Sequence, residues 1–442
     1  MLNIPLSEIL SKLPVEELEC SLQDFVAPLS DILPEQRLRQ IVPLAVRGIL
    51  SNETPVIAAM VQSVSRQEAA CWAAAKRIYR FMENKRFNHH HLFKGLYRVA
   101  QRTVAQAALP YLVVALDPVN FEKPYTKQLE GVSTVYKKTP PNLEGKARLA
   151  RGYPAMTACV VNTPVPAISY ANWFSYQTAD FLSQNREIQR SIRTTRWVFP
   201  DQRLRFVMDS GGDDQKIFAW IEQAQAEFVI TATHLERVVE VYNTRLERWE
   251  AEHLQDLVAC VPWEVTFQTL FQHAGRRRLA TVKMGWFRIR LPDTHQELWV
   301  LVAEDDLFDN TLVLLTNVPL ADEAQARAGY ADWRLRGRIE HGYRFDQEQG
   351  LDVEDLRVQT LERMRRLFAL VLLAAQFVFY LMKQWPAQAV LWLRKLGGKL
   401  GLTTDRDGPY ILLRGLSAVW HTVATLSWTA IQPFPHFLFG DT

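Results

Sequence analysis

The sequence predicts an α/β protein: a mixed sheet at the centre, an all-helical unit before it, a β-rich insertion within it and a helical C-terminal region. Three observations predict this. Tyr111–Leu116 (YLVVAL) is a continuous apolar run rich in branched side chains, the pattern of a central strand covered on both faces. Arg205–Met208 (RFVM), a glycine turn, the helical Asp214–Ala226 and Phe228–Thr231 (FVIT) make a strand–loop–helix–strand unit. Thr281–Leu291 and Glu297–Ala303 alternate apolar and polar residues around Pro292–Gln296, as an antiparallel hairpin does.

The first 108 residues read as helices. From Pro55 to Arg102 few breakers occur, and Ala70, Trp72, Ala73, Ile78, Phe81 and Met82 recur at helical spacing. Lys76, Arg77 and Arg80 share the opposite side, which suits a helical DNA-binding unit. Residues 121–151 read as a loop or a hairpin, with Pro140 and Pro141 inside it, followed by strands at Ala155–Val161 and Ala167–Tyr170. Leu312–Leu315 (LVLL) is a further buried strand. From Ala321 the pattern is helical through Met382, with a break near Gly350, and the last sixty residues are helical and rich in Trp and Leu. These textures divide the chain into 1–108, 109–232, 233–305, 306–382 and 383–442.

Hydrophobic residues make up 48% and charged residues 22%, a globular balance that argues against large-scale disorder. The net charge is only +3, but it is clustered. Residues 61–105 carry nine Lys/Arg against two acids, 186–205 six against two, and 276–290 six against none. Basic clusters on a near-neutral chain point to phosphate-bearing partners. The four cysteines, Cys20, Cys71, Cys159 and Cys260, form no C-x-x-C pair and read as reduced, mostly buried thiols in a cytosolic protein. Met1–Lys12 lacks a basic start followed by an apolar run, so no signal peptide is expected. Leu367–Met382, interrupted by Gln376, falls short of the roughly 20 residues of a membrane span and reads as a buried core helix.

The candidate chemistry lies in carboxylates. Asp117 and Asp209 each close a short apolar strand, where open α/β sheets gather their active sites. An Asp after one strand is ordinarily a turn former; two of them, with a suitable Glu, are more. Glu340 lies in Trp333–Glu348 (WRLRGRIEHGYRFDQE), four residues after Arg336, so a helix would place guanidinium and carboxylate side by side. Asp213 and Asp214 look like a helix cap, and Glu304, Asp305 and Asp306 like a turn. His89, His90 and His91 are contiguous and would splay apart, poor joint metal ligands. Glu348 lacks the context of Glu340.

That context carries a resemblance. Trp333–Gln347 resembles the Tyr-x2-Arg-x3-Glu-x6-Lys helix of bacterial insertion-sequence DDE transposases, matching at Arg336, Ile339, Glu340 and Tyr343. Upstream, Leu314-Leu315-Thr316-Asn317 is similar to the strand before that helix. Val207-Met208-Asp209-Ser210-Gly211-Gly212, with Phe218 and Phe228-Val229-Ile230, resembles the second motif, and Ala115-Leu116-Asp117 fits the first. Lys76–Asn84 (KRIYRFMEN) resembles an Arg-Phe-x-x-Asn stretch of the same enzymes. The departures are Trp333 for the Tyr, Gln347 for the Lys and Gly337 for a Trp.

The resemblance implies an RNase H-like core with a β-rich insertion between the second and third acids, which are 131 residues apart against 92 for the first two. It implies that Asp117, Asp209 and Glu340 hold two Mg²⁺ or Mn²⁺ ions about 4 Å apart, cutting transposon ends and joining them to target DNA. Double-stranded DNA is the implied partner, with Arg336, Trp333, Arg338, Tyr343, Arg344, Lys76, Arg77 and Arg80 as expected contacts. If an end hairpin forms, a flipped base would rest on an aromatic ring of the insertion: Trp286, Phe287 or, by choice, Trp299. A homodimer paired through the C-terminal helices, a bacterial, nucleoid-associated setting and no membrane contact are also implied. Two other readings stay open: a metal nuclease that does not join strands, and a DNA-binding descendant without catalysis.

Overall fold

A computed structural model of the chain describes residues 15–64, 68–123, 128–137, 148–273, 276–307, 311–347, 350–398 and 408–431. Glu348, Pro140, Pro141 and Met1–Lys12 lie outside these residues. The N-terminal helices are α1 (Val15–Ser30), α2 (Gln36–Arg39), α3 (Ile41–Asn52), α4 (Ile57–Met60), α5 (Glu68–Glu83) and α6 (His89–Ala107). Glu16 and Glu17 in the first turn of α1 suit the positive end of its dipole. Asn88 and His91 cap α6 reciprocally.

The stretch from Pro55 to Arg102 therefore holds three helices, α4, α5 and α6, with α5 and α6 separated at Asn84–Asn88. The apolar face of α5 also differs from the expected one. Ala74, Ala75, Ile78, Phe81 and Met82 are buried, whereas Trp72 and Ala73 are exposed on the basic side. The spacing admitted two faces half a turn apart. Packing chose the one without Trp72, whose ring instead lies 5.1 Å from the Lys76 ammonium.

The strands are β1 (Leu112–Glu122), β2 (Ser133–Tyr136), β3 (Leu149–Val160), β4 (Ala167–Trp173), β5 (Leu204–Met208), β6 (Glu227–Thr231), β7 (Val238–Asn243), β8 (Arg248–His253), β9 (Val265–His273), β10 (Arg276–Arg290), β11 (Glu297–Asp305) and β12 (Leu312–Thr316). Helices α7 (Gln184–Val198), α8 (Gln215–Gln223) and α9 (Leu254–Ala259) interleave with them. The twelve strands form one mixed sheet in the order β2-β3-β1-β5-β6-β12-β11-β10-β7-β8, with β4 on β3 and β9 on β10. β1 is parallel to β5, and β5 to β6; β3 is antiparallel to β1, and β4 to β3. Leu112–Leu116 is wholly buried, as its run of apolar residues requires.

Two boundaries differ from expectation. β1 does not stop at Asp117 but continues to Glu122, because β3 pairs with it as far as Gly152. The insertion is continuous with the central sheet, since β12 pairs with β6 and β11 with β12.

The chain closes with α10 (Glu323–Arg334), α11 (Gly337–Gln347), α12 (Leu361–Gln384), α13 (Ala387–Leu396) and α14 (Pro409–Ile431). α12 is long and apolar enough by composition to cross a membrane, but 72% of its most apolar window is buried within the protein. It packs against α3 and α6. α14 packs on α3: Trp420 is fully buried and donates to Glu19 (2.7 Å), and Ser417 donates to the Ser51 carbonyl (2.5 Å). The N- and C-terminal helices thus share one layer within the chain. The four cysteines form no disulfide; Cys20 and Cys260 are exposed, Cys71 is half-buried and Cys159 alone is buried, so the expectation of mostly buried thiols does not hold.

Candidate active site

Asp117 lies on β1 at the point where burial gives way to partial exposure, facing its cross-strand partner Thr157. One strand over, Asp209 follows β5 directly and caps a short 3₁₀ turn, accepting from the Gly211 amide (3.0 Å). A Cβ at Gly212 would meet the Met208 Cβ at 2.8 Å, so only glycine lets the chain turn this tightly behind Asp209. Glu340 enters from the first turn of α11.

These acids, 92 and 131 residues apart in sequence, converge on Arg336. Its Nη1 donates to the Glu340 Oε1 at 2.5 Å and lies 4.0 Å from the Asp209 Oδ2. Burial, with the charges of Asp209 and Glu340, pushes the Asp117 carboxyl up to about 7, and Arg336 opposes that rise. Among the described residues no three acidic, histidine or cysteine side chains stand close enough to hold one ion between them. The guanidinium lies between Asp209 and Glu340 in the position of a counter-ion.

The helix expected over Trp333–Glu348 is interrupted: α10 ends at Arg334, and Leu335–Arg336 turns into α11. Arg336 and Glu340 still meet, because the turn keeps the i to i+4 relation. Behind the acids, Tyr343 is buried and its hydroxyl donates to the Asp117 carbonyl (2.8 Å). Arg338 donates to the carbonyls of Val161 and Thr163, and burial lowers its pKa. Both side chains are thus committed inside the protein and hold α11 to β1 and β3; neither reaches outward toward a DNA strand. Trp333 is half-buried, donates to the Thr231 hydroxyl (3.0 Å) and lies 5.8 Å from the Arg336 guanidinium. The side chains of Arg344 and Gln347 lie outside the described residues.

Sequence reasoning missed the supports of the site. Arg205 on β5 is buried and binds Asp332 of α10 (2.5 Å) and Glu227 of β6 (2.8 Å); Tyr111 also donates to Asp332 (3.0 Å). Asp213 is buried, accepts from the amides of Thr233 (2.7 Å) and His234 (3.1 Å) and pairs with Arg237, tying the turn after Asp209 to the chain after β6. The sequence signal was present: an Arg inside an apolar strand needs a buried acid. Asp214 caps α8 as expected.

Lys76, Arg77 and Arg80 are exposed on α5, beside exposed Trp72 and Tyr79. Trp299 is half-buried on β11, in register with Arg288 and Thr316, its ring packed against the core together with Trp286 and Phe287. His89 is buried and bound to Glu362, and its ring lies 4.0 Å from that of His90, so these two do not splay apart as expected. No protein-family model matches the chain, and no curated protein is similar enough to match it.

Proposed function

We propose that this chain is a metal-dependent DNA transposase that nicks transposon ends and joins them to target DNA. The observation that carries the reading is the convergence of Asp117, Asp209 and Glu340 around Arg336. The strand order β4-β3-β1-β5-β6, with its two antiparallel and two parallel pairings, supports an RNase H-like core. The insertion between β6 and α10 agrees with the family resemblance carried by Arg336, Ile339, Glu340 and Tyr343.

The donor set suits hard divalent cations: three carboxylates and no sulfur. Asp117, its proton held by burial and by repulsion from Asp209 and Glu340, would be ionised more readily by an added positive charge. Asp117, Asp209 and Glu340 would hold two Mg²⁺ or Mn²⁺ ions, which would supply activation of a water or 3′-hydroxyl and stabilisation of the leaving oxygen. The protein's part is to give up the Asp117 proton, to swing Arg336 from Glu340 onto a DNA phosphate, and to keep β1 and α11 locked through Tyr343. The basic face of α5, with Lys76, Arg77 and Arg80, is the proposed grip on the duplex backbone. Arg336 and Trp333 line its approach to the acids, and a dimer would pair two ends.

The test is a supercoiled plasmid carrying the gene and its flanking DNA. Wild type with Mg²⁺ or Mn²⁺ should nick at fixed positions and yield joined products, and Asp117→Ala, Asp209→Ala and Glu340→Ala should not. Nicking that survives all three substitutions, or no nicking with either ion, sinks the reading. Nicking without joined products would leave a nuclease.

A further inference from the structure

On the face of the sheet opposite Asp117 lies a second charged recess. Side chains alternate along a strand, so Leu116, Ala158 and Tyr170, aligned across β1, β3 and β4, point away from the side of Asp117 and Thr157. α7 covers that opposite face, where the Tyr170 hydroxyl donates to the buried Glu187 (3.0 Å). Between α6 and α7 the surface opens into a recess of about 850 Å³, its floor formed by Tyr97 and Tyr170 and its walls by Lys94, Arg190, Trp197 and Arg365.

The α7 wall, Arg190 and Trp197, belongs to a longer periodic stripe that runs on past the recess through Arg186 and Arg193. Arg186, Arg190, Arg193 and Trp197 fall at i, i+4, i+7 and i+11 of α7, one exposed stripe. Trp197 is 63% exposed at its end, unusual for so large an apolar ring. Opposite it, Lys94 and Arg98 are exposed on α6. Acids do not balance this charge: Glu187 lies beneath Arg190, and Asp180 is 3.5 Å from Arg365. Lys94, Arg98 and Arg193 add three cations for which no acidic partner stands among the described residues.

We infer that the α6–α7 recess binds a single-stranded or locally unpaired DNA strand, separate from the DNA at the carboxylates, with Lys94 and Arg193 on its phosphates and Trp197 stacked on a base. The inference rests on the proposed DNA chemistry for its choice of polyanion. It rests on Trp197 for the unpaired strand, because a ring exposed beside a row of guanidinium groups matches the stacking platform of single-strand binders. A duplex offers phosphates to the arginines but no free base face to the ring.

The experiment uses the full chain in EDTA, so that no strand is cut, with fluorescein-labelled oligo-dT read by anisotropy. Lys94→Glu with Arg193→Glu should weaken binding at least about tenfold and reduce the salt slope by about 0.7 for each phosphate no longer neutralised. Trp197→Ala should weaken oligo-dT about tenfold at an unchanged salt slope, with a blunt duplex of the same length affected less than twofold. Oligonucleotides carrying 5-iodouracil should cross-link to Trp197. The inference is overturned if oligo-dT affinity stays within twofold in both variants, if duplex and oligo-dT lose equally in Trp197→Ala, or if cross-links fall only on Trp72 or Tyr79 of α5. Asp209→Ala separates the two readings. Lost nicking with normal oligo-dT binding concerns the carboxylates alone, and a failed recess with intact triad-dependent nicking leaves the transposase reading standing.

Discussion

Asp117 is held protonated by burial, at a cost to stability once the carboxyl must ionise. Its carboxyl keeps a proton to about pH 7 in the folded chain and to about pH 4 when unfolded. The folded state therefore binds more protons between these limits, and stability falls as pH rises from 4 through 7. Asp117→Asn, neutral throughout, should match wild type near pH 4 and melt several degrees higher at pH 8 in EDTA; equal melting at pH 8 would remove the strain argument. Arg336 opposes the same shift. Arg336→Gln should move the Asp117 titration, followed by carboxyl-labelled NMR, to higher pH and, under the proposed function, slow nicking about a hundredfold, as loss of one charge-stabilising group does. An unmoved titration would mean that Arg336 does not feel Asp117.

At the scale of elements, α5 is fastened by two side chains of α12, Arg363 through its pair with Glu83 (2.9 Å) and above all Arg366. Arg366, buried, donates to the carbonyls of Phe81 (3.1 Å), Met82 (3.1 Å), Asn84 (2.9 Å) and Phe87 (2.7 Å) and pairs with Glu362 (2.7 Å). It satisfies the free carbonyls at the end of α5 that would otherwise be buried unpaired. Arg366→Met should cost about 3–5 kcal/mol in denaturant unfolding and speed hydrogen exchange at the end of α5; a cost below 1 kcal/mol would contradict this fastening. Burial alone would raise Glu362, but hydrogen bonds and charges from His89 and Arg366 outweigh it and hold the carboxyl at about 2. That contribution is present above the unfolded value near 4.5 and is lost as pH falls toward 2. The melting difference between wild type and Glu362→Gln should accordingly shrink between pH 5 and pH 2.5.

These elements also show what was legible. YLVVAL, RFVM and FVIT announced buried parallel strands because a strand covered on both faces has no room for polar side chains. Glu340 stood out through its neighbours. The face of α5, the end of β1 and the break at Leu335–Arg336 were not legible, because each is set by a partner far away in sequence: α12 for the first, Gly152 on β3 for the second, the Trp333–Thr231 and Arg205–Asp332 bonds for the third. Tyr343 and Arg338 matched an outward-facing motif by type, and nothing local told that their polar groups point inward.

The whole molecule is built so that its first and last described helices meet. Because α14 seals α3 with Trp420 and Ser417, a chain truncated after Gln384 should expose the apolar faces of α3 and α12. It should aggregate on expression, read by size-exclusion chromatography; a well-behaved truncated chain with an unchanged Tm would show the last helices to be dispensable. The sheet imposes a similar dependence on the centre. Glu340 follows β12, and β12 reaches its place beside β6 only after β7 to β11 have been threaded between them in sequence.

That arrangement has a consequence for the order of synthesis. Asp117 and Asp209 sit on neighbouring parallel strands that can pair while the ribosome is still translating the insertion. Glu340 arrives more than a hundred residues later, on a helix positioned by the last-made pairing of the sheet. A nascent or prematurely ended chain therefore carries two acids and no third. The three carboxylates come together only after the strands between Asp209 and Glu340 have been made and paired.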